Sequence, residues 1–279
     1  MATNLCYHAL AIVCHDADDN RCTHQAVYFR MLMVAKIRIQ QLRKVYDTPE
    51  RRVHALEDIN LDIADGEFVC LVGLSGCGKT TLLNILSGFV EISSGSVSMD
   101  GQPLTGDYDR GVVFQEYALF PWYTALQNVE YGLKIRKVPS AQRENIAREF
   151  LHLVRLDEFA DFYPHNLSGG MRQRVAVARA LAFDPQVLLM DEPFGALDAQ
   201  TREELQELTV DVWHKTGKTV IYVTHNLSEA VYMGDRIVVL IANPGRIREI
   251  VSVNLSRPRD ALSPEFIAIQ RHVNELVRG

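Results

Sequence analysis

Gly73-Leu74-Ser75-Gly76-Cys77-Gly78-Lys79-Thr80 meets the phosphate-loop pattern G-x-x-x-x-G-K-[ST] at every position. The chemistry asks for these residue types in this order. Glycines let backbone N–H groups turn inward and approach phosphate oxygens. A lysine at position 79 reaches the β- and γ-phosphates as a point charge, and the Thr80 hydroxyl suits Mg²⁺. The flanks agree. Glu67-Phe68-Val69-Cys70-Leu71-Val72 is apolar enough for a buried strand, and Leu82, Leu83, Ile85 and Leu86 predict a helix from Lys79. That helix would point its N-terminus at the phosphates, where its dipole favours negative charge.

Composition bounds the rest. The chain has 279 residues, 47% of them apolar, enough for one large domain or two small ones. A net charge of -6 offers no basic field for general polyanion binding, so nucleic acid is not an expected partner. No run approaches the roughly 18 apolar residues of a spanning helix, and Leu5 to Cys14, without a preceding Lys or Arg, is a poor secretory signal. The expectation is a soluble intracellular protein that reaches a membrane through a partner. Cys70 in the strand and Cys77 in the phosphate loop do not read as a disulfide scaffold. Cys6, Cys14 and Cys22 recur every eight residues with His8, His15 and His24 nearby. That spacing is wider than zinc pairs use, and residues 1–34 read better as a disordered extension or as sequence upstream of the true start.

From Lys36 onward periodicity is clear. Ile37 and Ile39 alternate as in a strand, and Leu56, Ile59, Leu61 and Ile63 fit a second. Asp65-Gly66 is a turn, Ser96–Met99 a strand before the Asp100-Gly101 turn, and Gly111–Phe114 a strand ending at Gln115. Residues of about 116–166 turn helical: Leu126, Val129, Leu133 and Ile135 mark one helix, and Ile146, Phe150, Leu151, Leu153 and Val154 a second. Helix and strand then alternate: helix from Ser168, strand Val187–Met190, helix from Asp198, strand Thr219–Val223, helix from Leu227, strand Arg236–Ile241. Such alternation implies a mostly parallel sheet covered by helices. Ser263-Pro264 opens a final helix.

Two further stretches carry chemistry. Val187–Met190 runs into Asp191-Glu192 at the strand end where open α/β sheets bind ligands. A buried strand has no structural need for paired carboxylates there. Asp191 would hold the Mg²⁺ shell, and Glu192 would take a proton from an attacking water. Ser168 is a good N-cap, but Gly169 and Gly170 weaken the helix that it opens by roughly 1 kcal/mol each. That cost points to close backbone approach by a ligand, a second nucleotide's γ-phosphate being the obvious one.

Together these segments resemble the ATP-binding subunit of an ABC transporter over about residues 36–255. The motifs stand in that family's order: the phosphate loop at 73–80, Gln115 as the glutamine-loop residue, the signature at 167–171, the acidic strand at 187–192, Ala196-Leu197-Asp198 as the D-loop, and His225 as the switch histidine. The resemblance implies an α/β fold with a phosphate-loop NTPase core, an antiparallel β subdomain and an inserted helical subdomain. It implies domains at 1–34 (extension), 35–255 (ATPase) and 256–279 (tail with a short helix).

It also implies roles. Tyr46 would stack on adenine. Gly73, Leu74, Ser75, Gly76, Cys77, Gly78, Lys79, Thr80 and Thr81 would cradle the phosphates of ATP. Thr80, Gln115 and Asp191 would serve Mg²⁺, and Glu192, His225, Gln115 and Lys79 catalysis. Ser168, Gly169, Gly170 and Asp198 would complete the site of a second copy in a head-to-tail homodimer. The chain departs from the family at Met171, where glutamine is common, and at Thr80, where serine is common.

Residues 190–198, Asn243-Pro244-Gly245-Arg246-Ile247 and Arg257-Pro258-Arg259 look most like the nitrate, taurine and alkanesulfonate importer group. The expected partners are transmembrane permease subunits, received near Phe120-Pro121-Trp122, and indirectly a solute-binding protein. The expected place is the cytoplasmic face of the plasma membrane. The competing expectation is a soluble ABC-type ATPase acting on nucleic acid or ribosomes. Such relatives usually carry two cassettes or a long coiled coil, and this chain has one cassette and no sustained heptads.

Overall fold

The computed structural model describes residues 36–279 except 48, 50 and 105–109. The cysteine–histidine series at 6–24 and the reading of residues 1–34 lie outside the described residues.

Alternating apolar residues set the first layer. β1 (Ile37–Asp47) pairs antiparallel with β2 (Arg52–Ile63), with Ile37 opposite Ile63 and Ile39 opposite Leu61. β4 (Ser94–Met99) joins the other side of β1, followed by the two-residue β5 (Gln102–Pro103). The order is β2-β1-β4-β5, with irregular register where Leu42 meets Ile59.

The second sheet carries the phosphate loop. β3 (Phe68–Val72), β6 (Arg110–Val113), β7 (Val187–Asp191), β8 (Thr219–Val223), β9 (Arg236–Ile241) and β10 (Arg246–Ser252) run in the order β10-β9-β3-β8-β7-β6. The five from β9 to β6 are parallel, and β10 is an antiparallel edge. β3 and β8 are buried at every residue, so they read as continuous apolar runs without alternation. β10 was not expected from the sequence. Its residues are mostly exposed, so it carries little apolar pattern.

Helix α1 (Lys79–Ser87) follows the phosphate loop, with Leu82, Leu83, Ile85 and Leu86 buried. The helical segment holds α2 (Ala125–Ile135), closed by a capping box between Thr124 and Gln127, and α3 (Ser140–Leu153). α4 (Gly169–Ala182), α5 (Ala199–Thr216) and α6 (Leu227–Met233) follow, each capped by a polar side chain: Ser168, Asp198 and Asn226. α7 (Pro264–Arg278) is capped by Ser263.

Burial divides between two clusters. Phe68, Cys70 and Val72 of β3 pack with Met190, Tyr222 and Val239, under α2–α7. Val69 and Leu71 of the same strand pack with Leu189, Val223 and Leu240, under α1 and the antiparallel sheet. Phe266 and Val273 of α7 are fully buried in the first cluster, so the C-terminal helix is part of the core. Arg259 anchors the chain before it, donating to the carbonyls of Val231, Tyr232, Gly234, Val253 and Leu255. Burial pulls its guanidinium down to about 10.

Candidate active site

The phosphate loop leaves β3 at Gly73 and enters α1 at Lys79. Gly73, at φ +154°, lies against the carbonyl of Leu240 on β9, and a Cβ there would come within 2.6 Å of Cys77 Sγ. Gly76, at φ +80°, has open space around it, so its requirement is conformational alone. The Lys79 side chain is nearly buried, and its ammonium donates to the carbonyls of Gly73, at 2.8 Å, and Leu74, at 3.2 Å. Burial raises the Cys77 thiol, against the pull of Lys79. Cys70 and Cys77 are both free and buried.

Above this loop is a cleft of about 490 Å³. Tyr46, Ser75, Gly76, Gly78, Lys79, Thr80, Thr81 and Glu192 all line it, so the expected nucleotide residues of β1, the loop, α1 and the β7 end converge. Asp191 joins them through a hydrogen bond with Thr80. Burial and the adjacent Glu192 charge raise the Asp191 carboxyl, partly offset by Thr80 and Lys79. Lys44 Nζ sits 4.7 Å from the Tyr46 ring centroid.

Glu192 takes a left-handed backbone, φ 44°, immediately after β7. Strain of this kind costs about 1–3 kcal/mol and clusters at functional sites. Its N–H donates to the Val223 carbonyl at 2.9 Å, which ties it to the end of β8. Two residues on, His225 Nδ1 lies 2.9 Å from Glu192 Oε2. A carboxylate only accepts, so with Glu192 ionised Nδ1 carries the proton, and Oε1 remains free to accept from water.

The other expected residues lie elsewhere. Gln115 is exposed and lines a neighbouring groove of about 540 Å³ with Tyr117, Arg172 and Ala196. Ser168, Gly169, Gly170 and Asp198 are not among the residues lining the phosphate-loop cleft. Ser168 is exposed and accepts from Met171 N–H at 3.2 Å, which leaves its own hydroxyl proton to donate. No acidic residue occupies the first turn of α4, so its dipole is not offset there by a side-chain carboxylate. Gly170 is buried, and a Cβ there would come within 2.5 Å of Thr201 Cγ2, so packing against α5 is a second reason for a glycine at this position. Asp198 caps α5 through Thr201 N–H at 3.0 Å, and that bond lowers its carboxyl.

Sequence reasoning missed one wall of the cleft. Val53, His54 and Ala55 of β2, with Asn243 and Gly245 of the β9–β10 connection, complete its lining. Gly245 N–H donates to the Ala55 carbonyl at 3.2 Å, and Glu57 N–H to the Gly245 carbonyl at 2.8 Å. Arg246 also pairs with Glu57. Asn243-Pro244-Gly245 was the available signal, since it stands between two strands and is built for a turn.

For Mg²⁺ the donor set fits. This ion takes one or two protein oxygens and completes its shell with phosphates and water. The Thr80 hydroxyl and the Asp191 carboxylate stand together beside the cleft. Among the described residues no cluster of three or more His, Cys, Asp or Glu forms a protein-only metal cage.

Comparison with known proteins gives the family. A family model described as ABC transporter matches residues 56–195. The chain is 50% identical to the taurine import ATP-binding protein TauB of Rhizobium johnstonii, over 82% of this chain and 91% of that protein. It is 44% identical to the nitrate import ATP-binding protein NrtD of Synechocystis sp., over 87% and 95%. Among solved structures it resembles the dimeric post-hydrolysis state of the ATP-binding cassette MJ0796 bound to ADP and Pi. The TM-score is 0.70 at 35% identity, with 79% of this chain and all of that chain covered.

Proposed function

The chain belongs to the ABC transporter family of ATP-binding proteins and is an ATPase, and on that premise we propose that it powers uptake of a small anion of the nitrate, taurine or alkanesulfonate class. The observation that carries the hydrolytic reading is that Glu192 lines the phosphate-loop cleft while His225 contacts its carboxylate. Lys79 binds the β- and γ-phosphates. Glu192 Oε1 accepts the proton of the attacking water, and His225 holds the carboxylate by its other oxygen. Thr80 and Asp191 would hold Mg²⁺, with Gln115 as a third candidate, and the ion would supply positive charge against that of the phosphates. Tyr46 stacks on the adenine.

Two copies are needed. Ser168, Gly169, Gly170 and Asp198 do not line their own chain's cleft, and the first turn of α4 carries no acid, so they suit a nucleotide held by a second copy. The similarity to a dimeric cassette supports this. No described helix is long and apolar enough to cross a membrane. The importer relatives support a transport path in separate permease subunits, met at the cytoplasmic face. Trp122, beside Phe120, is exposed and suits such a contact. Buried Asn128 holds the turn before α2, accepting from Phe120 N–H and donating to the carbonyls of Phe120, Tyr123 and Thr124. The relatives named for nitrate and taurine import support the anion class. A solute-binding protein would deliver the anion to the permease from outside.

The test uses two variants. Glu192→Gln should keep ATP binding, lose turnover by about 10²–10⁴-fold and run as a dimer with ATP. Lys79→Ala should lose nucleotide affinity. A monomeric ATP-loaded Glu192→Gln would refute the dimer. Stimulation by RNA or DNA, with no retention on membranes bearing the co-expressed permease, would refute the transport reading.

A further inference from the structure

We propose that Glu229 is a positioning residue for ATP hydrolysis, and that with Arg202 it sets His225 against Glu192 from behind the cleft. This rests on the hydrolytic reading above and adds the part that holds its two catalytic groups in register.

Glu229 is an acid in the first turn of α6, 4% exposed, in a place where a carboxylate needs partners to be tolerated. It has them on every side. Tyr222 on β8 donates its hydroxyl to Oε2 at 2.9 Å, and Thr224 donates its hydroxyl to the same oxygen at 2.7 Å. Asn226 Nδ2 donates to Oε1 at 3.3 Å, and Arg202 Nε stands 3.6 Å from that oxygen. Thr224 and Asn226 are the two neighbours of His225. Both are tied to one carboxylate, and to each other, since Asn226 N–H donates to the Thr224 hydroxyl at 2.9 Å. The histidine itself is exposed and carried between two fixed posts.

The opposite end of the network reaches Glu192. Arg202, on α5, donates from Nη2 to the Leu197 carbonyl at 2.7 Å and from Nε to the Phe194 carbonyl at 3.4 Å. Those carbonyls belong to the segment leaving Glu192. The path is therefore closed: Glu192 contacts His225, whose neighbours bind Glu229, which faces Arg202, which holds the chain that follows Glu192. A shift of α5 relative to α6 would change the Glu192–His225 distance without touching the phosphate loop. Tyr46, Lys79 and Thr80 lie outside this circuit, so the geometry assigns Glu229 to turnover and not to ATP affinity.

Glu229→Gln is the suitable probe because it keeps the shape. An amide has one accepting oxygen. Either it faces the two hydroxyls, leaving its NH₂ against Asn226 and Arg202, or it turns and loses both hydroxyls. ATP turnover, KM for ATP and melting temperature are measured on the full chain for Glu229→Gln, Arg202→Gln, His225→Ala and the double variant Glu229→Gln/His225→Ala. We expect Glu229→Gln to lower kcat by about 10-fold or more with KM within about two-fold. The double variant should be no slower than His225→Ala alone, because Glu229 acts through that histidine. Full kcat in Glu229→Gln would overturn the inference. So would losses that multiply in the double variant, or a parallel change in kcat and KM. Should Glu229→Gln melt below the assay temperature, Arg202→Gln, on the partly exposed side, decides by the same criteria. Unchanged turnover in His225→Ala would instead defeat the hydrolytic reading itself.

Discussion

Gly73→Ala should destabilise the protein in the absence of nucleotide, before catalysis is in question. An alanine Cβ at this position would stand 2.6 Å from Cys77 Sγ and closer still to the Leu240 carbonyl oxygen. Leu240 is 1% exposed and its carbonyl is part of β9, so it cannot retreat as the end of a flexible side chain would. Overpacking a rigid site costs about 1–3 kcal/mol, and a side chain in an unfavourable backbone region adds about 1–3. The midpoint, about 4 kcal/mol, lowers the melting temperature by roughly 8–16 °C for a domain of this size. Gly76→Ala is the matched control. Its φ of +80° carries the backbone penalty, but nothing lies within 4 Å of the added carbon. It should cost about 1–2 kcal/mol. Thermal unfolding of both variants and the parent, followed by circular dichroism without nucleotide, gives the comparison. If Gly73→Ala melts within about 3 °C of the parent, or above Gly76→Ala, the packing argument fails and the glycine answers to phosphate alone.

Three further outcomes are expected. Tyr46→Ala should raise KM for ATP with little change in kcat, since one stacked base is worth about 1–3 kcal/mol; equal KM values in titrations of the two proteins would remove Tyr46 from the site. Asp191 has a raised carboxyl in the folded chain, so the folded form holds that proton more tightly than the unfolded one. The stability this adds is full below the unfolded value and lost as pH rises through the folded one. Asp191→Asn should therefore melt higher than the parent at neutral pH, with the gap closing in acid; a gap that widens in acid contradicts the assignment. Arg259→Ala strands the carbonyls that it now satisfies, at a cost of at least about 3 kcal/mol, and urea titration of the variant should show the loss; an unchanged midpoint would mean that α7 is held by Phe266 and Val273 alone.

Much of this molecule is legible in its residues because local chemistry and tertiary need coincide. Val69-Cys70-Leu71 can only be an interior strand, Lys79–Leu86 repeats at helical spacing, and Ser168, Asp198 and Ser263 announce the helices that they cap. The floor of the candidate cleft was legible for the same reason, since the phosphate loop is one continuous segment. What escaped reading depends on distant partners. β10 exposes most of its residues and gains strand structure from β9. Asn243 enters the cleft because Gly245 is pinned to Ala55, 190 residues away in sequence. The packing of Gly170 against Thr201, which also requires a glycine there, is invisible in the local sequence. Glu229 looks like a solvated first-turn acid, and only folding shows three donors around it.

The central strand imposes a rule of parity. Phe68, Cys70 and Val72 feed one core, while Val69 and Leu71 feed the other. Deleting one residue from β3 would send every side chain beyond the cut to the wrong half of the molecule, and the phosphate loop would leave the strand facing away from its cleft. Neither core can therefore drift or be redesigned alone. Length changes are safest in connections between elements, where an odd count reverses nothing.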